Sequence, residues 1–487
     1  MNRQIVKLFG FIVVLFGILV GFTSYWSVFD AKALKEEEVN RRPLLEQQQI
    51  PRGRILAADG TVIAKSIAKG KKGEQVYVRR YPEGALFGHP IGYSFVRQGD
   101  AEFERFHNDE LIGEEGEFKS IFDELTGATQ EGNDIVTNID PEAQRVALAG
   151  LEEQGFGAVV AIVPQTGEIK VMASNRSYDP NRVPYELGRL NQNASETPLV
   201  NRATQSRQPP GSTFKVVTAA AGLESGVITP ETTINAPGTI VDEGHILAND
   251  FEQDWGSIAL DTALTNSVNT WFAQLGQKVG QDQLFETMEK FGFNAKPAID
   301  LPSQELLASG VVDLEHDRLL RRRDAVDLAR VAIGQERLLA TPLQIAEVAA
   351  AIANKGKLMQ PQLWNRVVNP DGRVIDRLDP SVYSEAVSEQ TAEELTTAME
   401  GVVREGTGTN AAISGISVAG KTGTAETPYN DLCGGGTDEN QAWFMGFAPA
   451  DEPKIAIAAT IECTTAFGGD VAAPIFREVA ETILNGE

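Results

Sequence analysis

Pro209-Pro210-Gly211-Ser212-Thr213-Phe214-Lys215 opens an apolar run that continues through Val216-Val217-Thr218-Ala219-Ala220-Ala221, and its reading organises the rest of the chain. Two prolines break whatever precedes them and preset the direction of the backbone, while Gly211 permits a sharp turn. A helix is expected from about Ser212 onward, which places this serine where unpaired N–H groups and the helix dipole favour developing negative charge. The i, i+3 spacing sets Ser212 Oγ and Lys215 Nζ on one face, within mutual reach, so that a desolvated, neutral lysine could take the hydroxyl proton. The same spacing recurs in Ser66-Ile67-Ala68-Lys69, beside Gly70-Lys71-Lys72-Gly73. That is a solvated turn with no helix behind it, and the match is read as chance.

Outward from this stretch, Ala158-Val159-Val160-Ala161-Ile162-Val163 and Glu168-Ile169-Lys170-Val171-Met172-Ala173 predict a hairpin. Its first arm is almost wholly apolar, as a central strand covered on both faces must be. Three more strands are predicted over 416–424, 442–448 and 454–463, followed by a closing helix from Pro474 to Leu484. Between the two strand sets lie helical patterns, one with Thr341 as cap and Pro342 in the first helical position. The expected fold is α+β, a mostly antiparallel sheet packed by helices with an inserted helical lobe, occupying residues 134–487. Residues 27–133 form an irregular, non-catalytic module that includes two short strands around Asp59-Gly60.

Residues 5–26 are apolar enough to span a bilayer, with Arg3 ahead of them and Tyr25-Trp26 at the far edge. The basic end predicts a cytoplasmic tail of residues 1–4 and an exported remainder, with Lys32 to Gln49 as a solvated spacer. The 487 residues carry 43 basic and 68 acidic side chains, a net charge of −25, which disfavours nucleic acid as a partner. His89, His107, His245 and His316 show no metal-ligand spacing, so neither metal, cofactor nor a Ser-His-Asp triad is expected. Cys433 and Cys463 either pair or stand as separate small apolar residues, and the sequence leaves both open.

Two further motifs occur once each. Ser267-Val268-Asn269 falls in a turn between two helical patterns. Lys421-Thr422-Gly423-Thr424 lies on the strand begun by Ile416, with Gly423 expected to clear space for a ligand backbone. Gly406-Thr407-Gly408-Thr409 lacks the lysine and is expected only to end the helix before it.

In this order the three motifs are those of penicillin-binding proteins and class A β-lactamases. The chain resembles, over nearly its whole length, a class B penicillin-binding protein, a membrane-anchored peptidoglycan D,D-transpeptidase, of the actinobacterial penicillin-binding protein A kind. Arg52-Gly53-Arg54-Ile55, Asn201-Arg202-Ala203, Ala332-Ile333-Gly334-Gln335 with Thr341-Pro342-Leu343-Gln344, and Trp443-Phe444-Met445-Gly446-Phe447 add to the likeness.

The resemblance implies the transpeptidase (β-lactamase-like) fold. It implies Ser212 as the nucleophile toward the D-alanyl-D-alanine end of a peptidoglycan stem peptide, and Lys215 as its base. Ser267 would relay a proton, Asn269 would hold the substrate amide, and Lys421 would supply positive potential. Thr422, Gly423 and Thr424 would bind the terminal carboxylate of substrate or of a β-lactam, which acylates the same serine. Backbone N–H groups of Ser212 and Thr424 would form the oxyanion hole. A SEDS-type glycosyltransferase in the membrane would be the partner. A D,D-carboxypeptidase, a β-lactamase, and a β-lactam sensor or inactive scaffold are the alternatives. Glu305-Leu306-Leu307-Ala308-Ser309 does not reproduce the deacylating motif of class A β-lactamases, and Glu305 is expected as a helix-terminus carboxylate.

Overall fold

The computed structural model describes residues 2–25, 48–71, 75–113, 130–242, 244–426 and 440–486. Within them, alternation along Phe156–Ile162 (β1) sets the layers. Ala158, Val160 and Ile162 enter one apolar core, Val159 and Ala161 a second, because successive side chains of a strand point to opposite faces. Ile169–Ser174 (β2), Ala419–Glu426 (β3), Asn440–Ala448 (β4) and Ile455–Thr464 (β5) complete a five-stranded sheet in the order β3-β4-β5-β1-β2. Every neighbouring pair is antiparallel, as expected.

Among the helices of the body are Pro141–Gln154 (α1), Lys215–Glu224 (α2), Leu260–Thr265 (α3), Asn269–Val279 (α4), Pro342–Ala353 (α5), Glu389–Arg404 (α6) and Gly468–Gly486 (α7). α1 starts at Asp140, whose carboxylate accepts from the Glu142 and Ala143 N–H groups. Its Ala143, Ala147 and Leu151 meet Phe476, Val479 and Ile483 of α7 in the second core. α5 is buried at every residue and supplies Leu343, Ile345 and Val348 to the first. Thr341 caps it, accepting from Gln344 N at 3.2 Å.

One predicted boundary is corrected. α7 begins at Gly468 rather than at Pro474, which lies inside the helix. A Cβ on Gly468 would sit 2.1 Å from the Trp443 carbonyl oxygen, and one on Gly469 2.3 Å from that of Thr407. The helix start is therefore set by tertiary packing against β4, which two poor helix formers alone admit.

Near the N-terminus Asn2–Ser24 is a helix, and Arg3–Ser24 is long and apolar enough to cross a membrane. Trp26 lies outside the described residues. The two predicted strands around Asp59-Gly60 are present as Ile55–Leu56 and Val62–Lys69, with Gly60 at φ 89° and Asp59 accepting from Thr61 N at 2.8 Å. They belong to a six-stranded sheet that also takes in Val76–Arg80, Asp134–Thr137, Trp364–Val368 and Val374–Arg377. Strands from both sides of residue 134 thus share one sheet.

Below this sheet Glu104 is fully buried between Arg52 Nε at 2.9 Å and Arg79 Nε at 2.6 Å, and accepts from Tyr81 Oη at 3.0 Å. Burial raises its carboxyl, but the two guanidinium groups outweigh burial and hold it below its ordinary range. Glu104→Ala strands both cations and is expected to destabilise the chain by about 3–5 kcal/mol. Thermal unfolding should show a lower Tm, with β-lactam labelling of the folded fraction preserved. Glu305 is the helix-terminus carboxylate expected. It ends a short 3-10 turn, accepts from Glu102 N at 2.6 Å and lies 3.1 Å from Arg105, linking the 27–133 segment to the body.

Candidate active site

The Pro209–Lys215 stretch is built as a tighter turn than its apolar pattern predicts. Gly211 takes φ 53°, and Gly211–Phe214 forms a 3-10 segment that becomes α2 at Lys215. Side chains three apart eclipse in a 3-10 turn, so Ser212 and Lys215 still share a side. The turn is pinned from three directions. Gly211 N donates to Gly334 O at 2.9 Å, Trp443 Nε1 donates to Pro209 O at 3.0 Å, and Thr213 Oγ1 donates to Pro210 O at 2.8 Å. Gly334, at φ 78°, lies so close that a Cβ would fall 1.9 Å from Gly211 O.

Lys215 is fully buried. Its Nζ donates to Ser267 O and Asn269 Oδ1, each at 2.6 Å, and lies 3.2 Å from Ser267 Oγ. Ser212 Oγ, by contrast, forms no hydrogen bond with Lys215 or any other described residue. The hydrogen bonds of the lysine go instead to the second motif.

That motif sits between α3 and α4 with Ser267 at φ 57°, a conformation uncommon for a residue with a side chain. Asn269 Nδ2 donates to Ala248 O at 2.9 Å, which turns its Oδ1 toward Lys215. The third motif lies on β3. Lys421, also fully buried, donates to Ser267 Oγ at 3.0 Å and to Thr422 O at 3.1 Å. Ser267 Oγ is therefore the point on which both lysines converge.

Gly423 corrects its predicted role. A Cβ there would lie 2.7 Å from Pro210 O and 3.0 Å from Thr213 Cγ2 and Trp443 Cβ. The space it clears is filled by the Ser212 turn, and Gly423 seats that turn against β3. Gly423→Ala must push that turn outward. β-Lactam acylation is expected to fall on the order of 10²-fold, as for a displacement near 1 Å at a reacting centre, measured as the second-order acylation rate.

Burial is the largest influence on both lysines. It drives Lys215 well below the usual lysine range, helped by the Lys421 charge and opposed by Asp250. Burial likewise lowers Lys421 to about 7, again opposed by Asp250. A neutral Lys215 amine has two hydrogens for the two obligate acceptors, Ser267 O and Asn269 Oδ1, and keeps a lone pair for a hydroxyl proton.

Ser212, Ser267, Asn269, Thr422 and Thr424 line one cavity of about 530 Å³. Asp250, Phe251, Ile333, Gln335, Thr407, Asn440, Phe467, Gly469 and Asp470 line it too and were not singled out as site residues from sequence. Only Ile333-Gly334-Gln335 carried a signal, a glycine between two residues of a quoted family stretch. The Gly406-Thr407-Gly408-Thr409 stretch does end α6, as expected, with Gly406 N donating to Val402 O at 3.2 Å and Gly408 N to the same oxygen at 3.0 Å. Its Thr407 also meets Thr422, with the two hydroxyl oxygens 2.6 Å apart. Ser66 is on a strand, where positions three apart face opposite sides, and its Oγ donates to Arg52 O at 2.9 Å. Cys463 is the last residue but one of β5, with φ 57°, while Cys433 lies outside the described residues.

A pinned serine turn, two buried lysines and an S-x-N turn around one cleft define a serine acyltransferase of the penicillin-recognising class. Residues 157–481 match the penicillin binding protein transpeptidase domain, and residues 52–135 the penicillin binding protein A dimerisation domain. The chain belongs to the penicillin-binding protein transpeptidase family. It is 33% identical to the peptidoglycan D,D-transpeptidase PbpA of Mycolicibacterium smegmatis, over 99% of each chain. It is 30% identical to the peptidoglycan D,D-transpeptidase MrdA of Acinetobacter baumannii, over 80% of this chain and 64% of that one. Among solved structures, the ceftriaxone acyl-enzyme of penicillin-binding protein A from M. tuberculosis superposes with a TM-score of 0.80 at 33% identity, over 90% of this chain and 100% of that one.

Proposed function

We infer that the protein is a peptidoglycan D,D-transpeptidase that joins stem peptides through an acyl-enzyme on Ser212. The observation that carries the assignment of roles is the convergence of Lys215 and Lys421 on Ser267 Oγ at the edge of the cleft that holds Ser212. Ser212 Oγ attacks the carbonyl between the two terminal D-alanines, and its proton passes to the Lys215 lone pair. The Ser267 hydroxyl, between the two lysines, returns a proton to the departing D-alanine nitrogen. Asn269 holds the substrate amide. Lys421 supplies positive potential, and the Thr422 and Thr424 hydroxyls meet the terminal carboxylate. Backbone N–H groups of Ser212 and Thr424 stabilise the tetrahedral oxyanion, each donor contributing about 2.7–4 kcal/mol. The acyl group then moves to an amine of a neighbouring stem peptide. A β-lactam enters by the same attack and stays as a stable ester.

The apolar N-terminal helix is read as a single membrane anchor with its basic end in the cytoplasm and residues beyond about 27 outside. Residues 27–133 are read as the non-catalytic module and 134–487 as the catalytic domain. A SEDS-type glycosyltransferase fits as the partner contacted through anchor and module, and a Cys433–Cys463 disulfide fits an oxidising exterior. A D,D-carboxypeptidase would use the same three motifs and differ only in handing the acyl group to water. Incubation of the full chain in detergent with a D-alanyl-D-alanine donor and an amine acceptor separates the two. Cross-linked product supports the transpeptidase, and exclusive hydrolysis overturns it.

A further inference from the structure

Two carboxylates line the catalytic cleft, Asp250 and Asp470, and among the described residues neither side chain takes a hydrogen bond or an ion pair. Asp470 lies in the first turn of α7, where the helix dipole accounts for an acid. Asp250 has no such account. It opens a three-residue 3-10 turn, exposed to solvent, whose next residue, Phe251, stands at φ 58° and is 96% exposed.

The turn is nevertheless tied to the catalytic amide. Asn249 Nδ2 donates to Pro237 O at 3.0 Å and to Gln253 O at 2.9 Å, closing the loop. Its Oδ1 accepts from Thr270 N at 2.9 Å, the residue directly after Asn269. The Ala248 carbonyl, two residues before Asp250, receives Asn269 Nδ2 at 2.9 Å. The backbone thus holds Asp250 at the S-x-N side of the cleft, where its carboxylate acts on Lys215 and Lys421.

The chemistry supplies a use for it. The donor peptide ends in a carboxylate, which a carboxylate repels and which the Lys421 and threonine side suits. The second substrate is a primary amine, carried as ammonium at neutral pH. We propose that Asp250 is a positioning residue for the acceptor, binding the ammonium of the incoming stem peptide beside the acyl-enzyme while the anionic donor end is held on β3. The proposal rests on the acyl-transfer reading above. In the step it serves, the ammonium gives up one proton to solvent at Asp250, and its lone pair forms the C–N bond. The C–O bond to Ser212 breaks, and a second nitrogen proton returns through Lys215 to Ser212 Oγ.

The test is the partition of one acyl-enzyme, formed on the full chain from a thioester donor ending in D-alanine, between an amine acceptor and water. Any change in acylation rate cancels, because both products leave the same intermediate. In Asp250→Asn the amine-to-water ratio is expected to fall roughly three- to fivefold, the effect of one solvent-accessible charge pair, and in Asp250→Glu to recover. With hydroxylamine, whose weakly basic nitrogen is uncharged at neutral pH, the ratio should not move. An unchanged ratio for the ammonium acceptor, or an equal fall with hydroxylamine, overturns the proposal. Absence of any acyl group on Ser212 would instead defeat the underlying reading, whereas a Ser212 ester with an unmoved ratio defeats this inference alone.

Discussion

Ser212→Ala is expected to leave the chain folded and without a covalent penicillin adduct, with transpeptidation lowered on the order of 10⁴-fold or more. The Ser212 turn is clamped by Gly334, Trp443 and Thr213, and it opens onto the cleft shared with Ser267 and Thr424. Losing a nucleophile removes the covalent route altogether, so the residual rate should be that of bound water alone. Because Ser212 Oγ forms no hydrogen bond, the substitution should leave Tm nearly unchanged. Intact-mass measurement of the full chain after penicillin exposure reads the result. One adduct in the parent, none in Ser212→Ala and one in Ser66→Ala is the expected pattern, and an adduct surviving in Ser212→Ala would move the nucleophile elsewhere.

Lys215→Arg should be nearly as damaging, for a different reason. The guanidinium keeps its proton at every accessible pH and cannot receive one, so acylation is expected to fall on the order of 10³-fold. In the parent chain burial lowers Lys215 well below its usual range. Acylation should therefore be flat above the Lys215 pKa and fall tenfold per pH unit below it. That acid limb should be absent from the residual activity of Lys215→Arg. The same depression fixes a stability sign. The unfolded chain binds a proton at Lys215 up to about pH 10.4, whereas the folded chain releases it lower, so folding is penalised progressively as pH falls between those two points. Lys215→Met removes that penalty. Its Tm relative to the parent should become more favourable on moving from about pH 10 toward neutrality, and a difference that shrinks instead would show the lysine buried with its charge.

Much of the fold was legible because it is written in local periodicity. β1 alternates between two cores, and its apolar run of Ala158 to Ile162 says so without any partner being known. The caps at Asp140 and Thr341 were readable for the same reason, since a side chain and the N–H it satisfies lie within three residues. Pro474 misled because helix-start chemistry points to proline, while Gly468 and Gly469 start α7 through contact with Trp443 and Thr407, residues 25 and 62 positions upstream. Gly423 misled likewise: a glycine on a strand announces a close approach but not the identity of what approaches, which proved to be the protein's own Pro210.

The chain by itself therefore determined which residues compose the candidate site, because Ser212, Lys215, Ser267, Asn269 and Lys421 stand in short motifs whose spacing is a property of the backbone. Tertiary structure alone decided how they meet. Sequence spacing brought Lys215 toward Ser212, but folding delivered Ser267 from 52 positions away at 3.2 Å and Lys421 onto the same oxygen at 3.0 Å. Burying two lysines together is what lowers their proton affinity, and burial is a property of the surrounding packing that no short stretch of sequence contains.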